Sequence, residues 1–266
     1  MDGTLSVSPS ALYARLGTSR APIVLDVRRK DAFEDDDKLV VGAFRRAPEE
    51  VGLWSNELPS DRPVVAYCSR GQEVSQGIAG ALRGAGFNAV YLEGGLADWN
   101  HRNLPTRKKL RTGEKNWVTR EHPKIDRIAC PWLISRFINP NAEFIYVLPD
   151  RVVATAQEVD AVPYDSKGTE FGHVGDLCSF DAIVRIFDIK DPALDVLATI
   201  VRGADTSRRD LAPQCEGLYA ISFGLSANFP DDHAMLQHGL VIYDALYSWC
   251  RKSQVAAADT SIRARA

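Results

Sequence analysis

The stretch Pro63-Val-Val-Ala-Tyr-Cys-Ser-Arg-Gly-Gln-Glu-Val-Ser-Gln-Gly-Ile-Ala-Gly-Ala-Leu82 decides the fold of the first part of this 266-residue chain. The β-branched apolar run before Cys68 predicts a buried strand, and the spacing of Val74–Leu82 predicts a helix with small residues on one face. The short polar segment between them predicts a tight loop. Cys68 therefore lies at the carboxyl end of a strand, where a loop leads into a helix.

Similar elements lie on both sides of this stretch. Ser10–Leu16 has helical spacing, while Pro22–Val27 and Asn88–Leu92 are short apolar runs typical of strands. Gly94-Gly95 and a short helix through Trp99 follow the last run. Because strands and helices alternate as far as about residue 101, we expect an α/β domain with an open parallel sheet.

A basic segment separates the two halves of the chain. Pro105–Lys115 contains five Lys and Arg residues and almost nothing apolar, which is typical of a solvated linker. We therefore expect a first domain at 1–106, a basic linker at 107–116, a second domain at 117–252 and a flexible tail at 253–266.

The second half has mainly helical periodicity, and we expect a helix-rich α+β domain. Its expected helices are Ile125–Ile138, Ala193–Arg202, Gly217–Leu225 and His233–Cys250, and its expected strands lie near Trp117–Thr119 and Phe144–Val147.

Composition excludes several classes of protein. A net charge of −3 and a pI near 6.0 disfavour nucleic acid as a partner. The sequence has no apolar run long enough to cross a membrane and no signal for secretion, so we expect a cytoplasmic protein. Its five cysteines include no Cys-x-x-Cys pair, which favours reduced thiols over a disulfide framework.

Cys68 is the first candidate for chemistry. The N–H groups of a loop and of the following helix can stabilise a thiolate and then a persulfide anion. Gly71 allows the backbone to curl around the sulfur. The alternative interpretation is a buried cysteine at the end of a core strand. The candidate anion-binding loop consists of Ser69, Arg70, Gly71, Gln72 and Glu73.

These residues resemble the rhodanese family, whose active-site loop has a cysteine followed three residues later by glycine. Asp26-Val27-Arg28, Val41-Gly42-Ala43 and Leu92–Trp99 are similar to further motifs of that family. The resemblance implies that Cys68 takes sulfane sulfur from a small-molecule donor and passes it to a thiol or to cyanide. It also implies that sulfur transfer requires no cofactor.

Two features of the first domain bear on its chemistry. Glu73 stands where thiosulfate-using members of the rhodanese family often have a basic or hydroxyl residue, and a carboxylate there repels anionic donors. Arg70 either offsets this negative charge or is only a solvated side chain of the loop. Asp26 and Arg28 support the site or simply stabilise the fold.

The second half contains two clusters of reactive side chains. Asp126, Arg127 and Cys130 lie close together in one expected helix. Either they line a site, or Cys130 is a buried packing residue and the charged side chains form a network. His173 and His238 would bind a transition metal only if the fold brings them together. The remaining candidates are Asp181 and the pair Asp231-Asp232, one of which could cap the last helix.

The second half resembles the C-terminal domain of ChrB-type chromate resistance proteins. The resemblance rests on Pro123–Ile138, Phe180-Asp181, Asp231–His233 and Tyr243–Cys250. It implies a role in chromate resistance or sensing, with chromate or another oxyanion as a ligand, but it implies no mechanism.

Three functional hypotheses follow. The first is a sulfurtransferase that carries a Cys68 persulfide and serves chromate resistance or thiol-redox stress. The second is a noncatalytic oxyanion sensor or regulator. The third is a metal-dependent activity in the second domain.

Overall fold

A computed structural model describes residues 5–109 and 115–263, and the side chains as far as residue 254. Its contacts divide the described chain into two compact units. The first unit consists of 5–109 and 136–140, and the second of 115–135 and 141–263. Residues 1–4, 110–114 and 264–266 lie outside the described part.

The first unit contains a five-stranded, fully parallel sheet in the order β1-β6-β5-β2-β4. Strands β3 and β7 form a separate antiparallel ribbon. This arrangement confirms the expected parallel sheet. The strands are β1 (Ser6–Val7), β2 (Ile23–Asp26), β3 (Lys38–Val40), β4 (Ala43–Arg45), β5 (Val64–Tyr67), β6 (Ala89–Leu92) and β7 (Thr106–Lys108).

The helices of the first unit connect these strands. They are α1 (Pro9–Tyr13), α2 (Lys30–Glu34), α3 (Val51–Trp54), α4 (Glu73–Gly84) and α5 (Gly95–His101). Strand β5 is fully buried, and Cys68 follows its last residue directly. Helix α4 begins at Glu73, so this residue belongs to the first helical turn and the loop proper ends at Gln72.

A buried ion pair stabilises the carboxyl end of β2. The Arg28 guanidinium donates to both carboxylate oxygens of Asp26, and both side chains are almost completely buried. Tyr67 at the end of β5 donates its hydroxyl to Asp26 at 3.0 Å, and the Val40 N–H donates to that hydroxyl. The pair therefore links the ends of β2, β3 and β5.

The structure narrows the predicted linker at 107–116, of which residues 110–114 lie outside the described part. Arg107 lies in β7 and is buried, where its guanidinium donates to the carbonyl of Ala43. Asn116 already belongs to a strand of the second unit. The sequence pattern failed here because a long basic side chain can direct its charge to a backbone carbonyl while its methylene groups are buried.

The second unit has a three-stranded parallel sheet in the order β10-β8-β9, and helices make up most of the rest. This composition confirms a helix-rich α+β fold. Its elements are β8 (Asn116–Arg120), α6 (Asp126–Leu133), a π-helical segment (Ile134–Ile138) of which residues 136–138 belong to the first unit, β9 (Glu143–Val147), α7 (Val152–Glu158), β10 (Ala161–Pro163), α8 (Ser179–Ile186), α9 (Pro192–Asp205), α10 (Gln214–Asn228) and α11 (Asp232–Arg263).

An aromatic cluster forms part of the core of the second unit. Trp132 on α6 is fully buried, stacks on Phe180, and contacts Tyr243 and Tyr247 of α11. Its indole N–H donates to Asp244 at 2.8 Å. These residues come from the motifs that resemble the ChrB-type domain, so part of that resemblance reflects packing.

The described part of the predicted tail at 253–266 is helical, and its flexibility stays a prediction. Helix α11 continues without a break to Arg263, and residues 264–266 lie outside the described part. Residues 255–263 have no helix breaker, which is consistent with the continued helix.

No helix among the described residues combines the length and the apolar character that a membrane span requires.

Replacing Arg28 with Met should strongly destabilise the first unit, because the Asp26 charge would remain buried without its partner. The expected loss is about 3–5 kcal/mol. Hydrogen–deuterium exchange of the β5 amides measures this loss of stability in the full chain, because it reports on the first unit separately from the second. Arg29→Met changes an exposed neighbour and should stay within about 0.5 kcal/mol of the parent. Equal effects of the two substitutions would show that the ion pair does not brace the fold.

Candidate functional site

Cys68 lies between the carboxyl end of β5 and the amino end of α4. Its side chain is 8% exposed, and it borders a surface cavity of about 240 Å³. Other residues on the cavity wall are Arg28, Arg29, Ala32, Ser69, Arg70, Gln72, Glu73 and Val74. The thiol is therefore held in a shallow site that a small molecule can reach.

The surroundings of Cys68 favour its thiolate. Burial opposes ionisation, but hydrogen bonds from the Ser75 hydroxyl and from the backbone N–H groups of Ser75, Arg70 and Gln72 outweigh it and lower the pKa of the thiol. Ser75 Oγ lies 3.2 Å from Cys68 Sγ. The same N–H groups can donate to the terminal sulfur of a persulfide, since they are already directed toward the Cys68 sulfur.

The backbone of the loop is held by two glycines with left-handed φ angles. Gly71 has φ +66°, and a Cβ on it would lie 2.5 Å from the carbonyl oxygen of Leu92. Gly95 has φ +58°, and a Cβ on it would collide with the carbonyl oxygen of Cys68. The first turn of α5 then donates to the loop, from Leu96 N–H to Cys68 and from Ala97 N–H to Ser69.

The other four cysteines are poor nucleophiles. Burial raises the pKa of Cys130 well above its ordinary value, and it also raises the pKa of Cys178, Cys215 and Cys250, the last to about 12. All five thiols are free. Cys68 is therefore the one cysteine of this chain whose surroundings promote the thiolate.

Arg29 is a feature of this site that sequence reasoning missed. It lies in the loop before α2, and it joins Arg70 and Arg28 on the cavity wall. Arg28 forms ion pairs with Asp26 and Asp36, so its main role at the cavity wall is structural. The cavity combines these cationic groups with the single carboxylate of Glu73.

A second cluster of titratable groups lies within the second unit, around Asp126 at the start of α6. This carboxylate is 1% exposed and accepts hydrogen bonds from the backbone N–H groups of Ser179 and Phe180, at the amino end of α8. Burial raises the pKa of Asp126 to about 6. Cys130 donates its thiol to the same carboxylate at 3.4 Å, so the expected proximity of these two residues is confirmed.

His173 lies beside Asp126 and two further carboxylates. Its Nε2 atom is 3.5 Å from Asp126, 3.3 Å from Asp165 and 3.2 Å from Asp205. Interaction with these three carboxylates, with Asp126 the largest cause, raises the pKa of His173 to about 12. Asp165 also pairs with Arg120 and with Arg127.

Sequence reasoning missed Asp165 and Asp205, because neither stands in a recognisable motif. Asp165 follows β10, and Asp205 ends α9. Only the fold brings these two carboxylates to His173.

The structure does not join His238 to this cluster. The His238 ring stacks on Phe229, with 4.3 Å between ring centroids, and the group of candidate metal ligands found among the described residues contains His173 without His238. Only their chemical type makes the two histidines candidates for one metal site, because their spacing in the sequence does not indicate their distance in the fold.

Asp181 has a structural role near the cluster. Its carboxylate accepts from the Cys178 N–H at the start of α8 and forms an ion pair with Arg202. Asp231 accepts from the Ala234 N–H at 2.7 Å, which confirms that one of the two aspartates caps the last helix.

Family comparisons agree with this division of the chain. A rhodanese-like domain matches residues 8–102, in which Cys68 occupies the strand–loop–helix site described above. The ChrB C-terminal domain matches residues 117–250, just over half of the chain. The chain belongs to the ChrB C-terminal domain family and carries a rhodanese-like domain before it.

Two curated relatives match different parts of the chain. Protein ChrB of Cupriavidus metallidurans is 32% identical over 147 residues, which cover 55% of this chain and 44% of that protein. A tRNA sulfurtransferase of Desulfurococcus amylolyticus is 40% identical over 75 residues, which cover 28% of this chain and 14% of that protein. The chain thus spans less than half the length of either relative.

Similar solved structures cover about two fifths of the chain. A rhodanese-related protein from Thermoplasma volcanium is 25% identical, with a TM-score of 0.34, over 39% of this chain and 97% of its own. A rhodanese-like domain protein from Staphylococcus aureus is 22% identical, with a TM-score of 0.33, over 36% of this chain and 91% of its own.

Replacing Ser75 with Ala should raise the pKa of Cys68, because the thiolate loses a hydrogen bond from a hydroxyl. We expect the midpoint of the pH profile for alkylation by iodoacetamide to rise by about 0.5–1 pH unit. At a fixed pH below that midpoint, the reaction of Cys68 should therefore slow several-fold. Peptide mass spectrometry assigns the alkylated residue.

Ser69→Ala is the matched control, because Ser69 is exposed and contributes its backbone carbonyl to the loop. Its profile should coincide with that of the parent protein. A Ser75→Ala profile with an unshifted midpoint would contradict the role of the hydroxyl.

Proposed function

We propose that this protein transfers sulfane sulfur through a persulfide on Cys68. The observation that carries the proposal is the convergence of the Ser75 hydroxyl and three backbone N–H groups on the Cys68 sulfur. A thiolate is the reactive form of cysteine, and an anionic persulfide needs the same stabilisation once it has formed. The rhodanese-like domain and the similarity to a tRNA sulfurtransferase support this reaction class.

The reaction has two balanced displacements. In the first, the Cys68 thiolate attacks the outer sulfur of a donor; with thiosulfate, the S–S bond breaks and sulfite leaves with its electron pair. The products are a Cys68 persulfide anion and sulfite. In the second, an acceptor thiolate attacks the terminal sulfur, takes it as a new persulfide and restores the Cys68 thiolate. No net oxidation and no additional cofactor are required.

The site stabilises charge mainly with backbone groups. Peptide N–H donors in a rigid loop need no reorganisation as negative charge moves from one sulfur to the next. The turn at Gly71 and the close packing of Gly95 hold these donors in place. Catalysis would therefore depend on a fixed backbone more than on acid–base side chains.

The charge of the cavity wall determines which donors are favoured. Glu73 disfavours anionic donors, whereas Arg29 and Arg70 on the same wall attract them. Neutral or thiol-bound sulfane sulfur, as in an organic trisulfide, avoids the unfavourable interaction. We infer that such a donor is used at least as well as thiosulfate.

The attached domain suggests the biological setting. The chain combines a sulfurtransferase-type fold with a family linked to chromate resistance. We propose that sulfur transfer serves resistance to chromate or to the thiol-redox stress that an oxidising oxyanion causes. A low-molecular-weight thiol is then the natural acceptor.

Incubation with a sulfur donor should add one sulfur atom to Cys68. Intact-protein mass spectrometry after treatment with thiosulfate, an organic trisulfide or mercaptopyruvate should show a gain of about 32 Da, retained because the loop stabilises the anion. Peptide mapping should place it on Cys68. Cys68→Ser should remove the adduct, whereas Cys215→Ser should retain it. The absence of an adduct with all three donors would refute the proposal.

Replacing Glu73 with Gln should favour thiosulfate over a neutral donor, because a carboxylate beside the thiolate is removed. The expected rise in kcat/KM for thiosulfate is about fivefold, equivalent to ~1 kcal/mol. The rate with an organic trisulfide should change little. Added salt should reduce the difference between the two proteins, because it screens the carboxylate.

Glu50→Gln provides the control, since it removes an exposed carboxylate outside the cavity wall. It should leave the preference between the two donors unchanged. If Glu73→Gln raised kcat/KM equally for thiosulfate and for the organic trisulfide, Glu73 would not select between donors by charge.

A further inference from the structure

The cluster of His173, Asp126 and Asp205 has a feature that hydrogen bonding alone leaves unexplained. One imidazole nitrogen, His173 Nε2, lies 3.2–3.5 Å from three carboxylates, including Asp165. A single N–H can be directed at only one of them. The distances also exceed the roughly 2.7–2.9 Å that is usual for a charged N–H donor and a carboxylate.

These separations do match the distances between ligands of a shared metal ion. Metal–ligand bonds of roughly 2.0–2.2 Å place neighbouring ligand atoms about 2.8–3.6 Å apart, depending on whether the geometry is octahedral or tetrahedral. Donor atoms of Asp126, His173 and Asp205 all lie within 4.8 Å of one another. One small cation can therefore contact all three after minor side-chain adjustment.

The position of each ligand is fixed by the fold of the second unit. Asp126 is held by two N–H groups at the amino end of α8. Asp205 stands at the carboxyl end of α9, where the helix dipole disfavours a negative charge, and His173 is its ion-pair partner among the described residues. A bound cation would offset this unfavourable placement.

Asp165 supports the cluster from outside. It accepts a hydrogen bond from the Ser179 hydroxyl at 3.1 Å and forms ion pairs with Arg120 and Arg127. Hydrogen-bonded groups of this kind orient metal ligands. Two arginines on Asp165 leave it less available to the cation than Asp126 and Asp205.

A cavity of about 480 Å³ adjoins the cluster. His173 and Asp165 form part of its wall, together with Arg120, Ser166 and Lys167. The positive charges of Lys167 and Arg120 beside a metal ion suit a small oxyanion that also occupies an open coordination position.

We propose that His173 Nε2 and the carboxylates of Asp126 and Asp205 bind a divalent first-row transition-metal ion, whose open side faces this cavity and accepts a small oxyanion. Nitrogen and oxygen donors suit ions from Mn²⁺ to Zn²⁺. The site lies within the second unit and is independent of the Cys68 persulfide.

Mn²⁺ is the most discriminating probe, because it prefers oxygen and nitrogen ligands and binds thiolates weakly. Titration of the chelator-treated full chain, followed by the electron paramagnetic resonance of free Mn²⁺, should show one site per chain. Zn²⁺ should release the bound Mn²⁺. Asp205→Asn and His173→Gln should each raise the Kd for Mn²⁺ at least tenfold.

His238→Gln and Asp210→Asn are the matched controls, because they remove a histidine and an aspartate outside the cluster. They should leave the Kd unchanged. Circular dichroism should show that all four variants are folded. Failure to bind Mn²⁺ with a Kd below about 100 µM, or equal losses in variants and controls, would overturn the metal site.

The oxyanion is tested on the Mn²⁺-loaded chain with inorganic phosphate. Phosphate should displace water from the ion and lower the enhancement of water-proton relaxation. Lys167→Met should weaken this phosphate effect several-fold and leave the Kd for Mn²⁺ unchanged. An unaltered relaxation rate at millimolar phosphate would overturn the assignment of the cavity to an oxyanion.

Discussion

The close approach of two backbone segments around Cys68 is the constraint on which the first unit's site depends. Gly71 and Gly95 both have left-handed φ angles, and the space that a Cβ would need is taken by the facing backbone. This packing lets the first turn of α5 donate to the carbonyls of Cys68 and Ser69. With its carbonyls satisfied from one side, the loop directs its N–H groups at the sulfur, and the low pKa of the thiol follows from that orientation.

Buried charge is handled differently in the two units. In the first, Asp26 and Arg28 neutralise each other with several hydrogen bonds, and the pair joins the ends of strands. In the second, Asp126, Asp165 and Asp205 surround one imidazole beside an open cavity. In the Asp26–Arg28 pair the two charges neutralise each other, whereas the second arrangement has more carboxylate acceptors than one imidazole N–H can satisfy. For this reason the ion pair is structural, and the carboxylate cluster around the imidazole is a candidate ligand site.

Local patterns predicted much of the fold and the strand–loop–helix segment that holds Cys68. The apolar run before Cys68 and the helical spacing after it are local properties, so β5, the loop and α4 were predictable from neighbouring residues. Predictions failed where tertiary contacts override local composition. Arg107 was assigned to a solvated linker, yet it lies buried in β7 because the carbonyl of Ala43 accepts its guanidinium. Chemical type alone made His238 a candidate metal ligand beside His173, whereas in the structure its ring stacks on Phe229.

The sequence by itself determined the two families and the position of Cys68 and of the glycines around its loop, because each depends on residues that are adjacent in the chain or form a recognisable motif. Only the tertiary structure decided which carboxylates meet His173. Asp126, Asp165 and Asp205 are separated by about forty residues at each step, and nothing in their local sequence distinguishes them from surface aspartates. They meet because α6, β10 and α9 pack within one unit, and that packing follows from the burial of many apolar side chains along the chain.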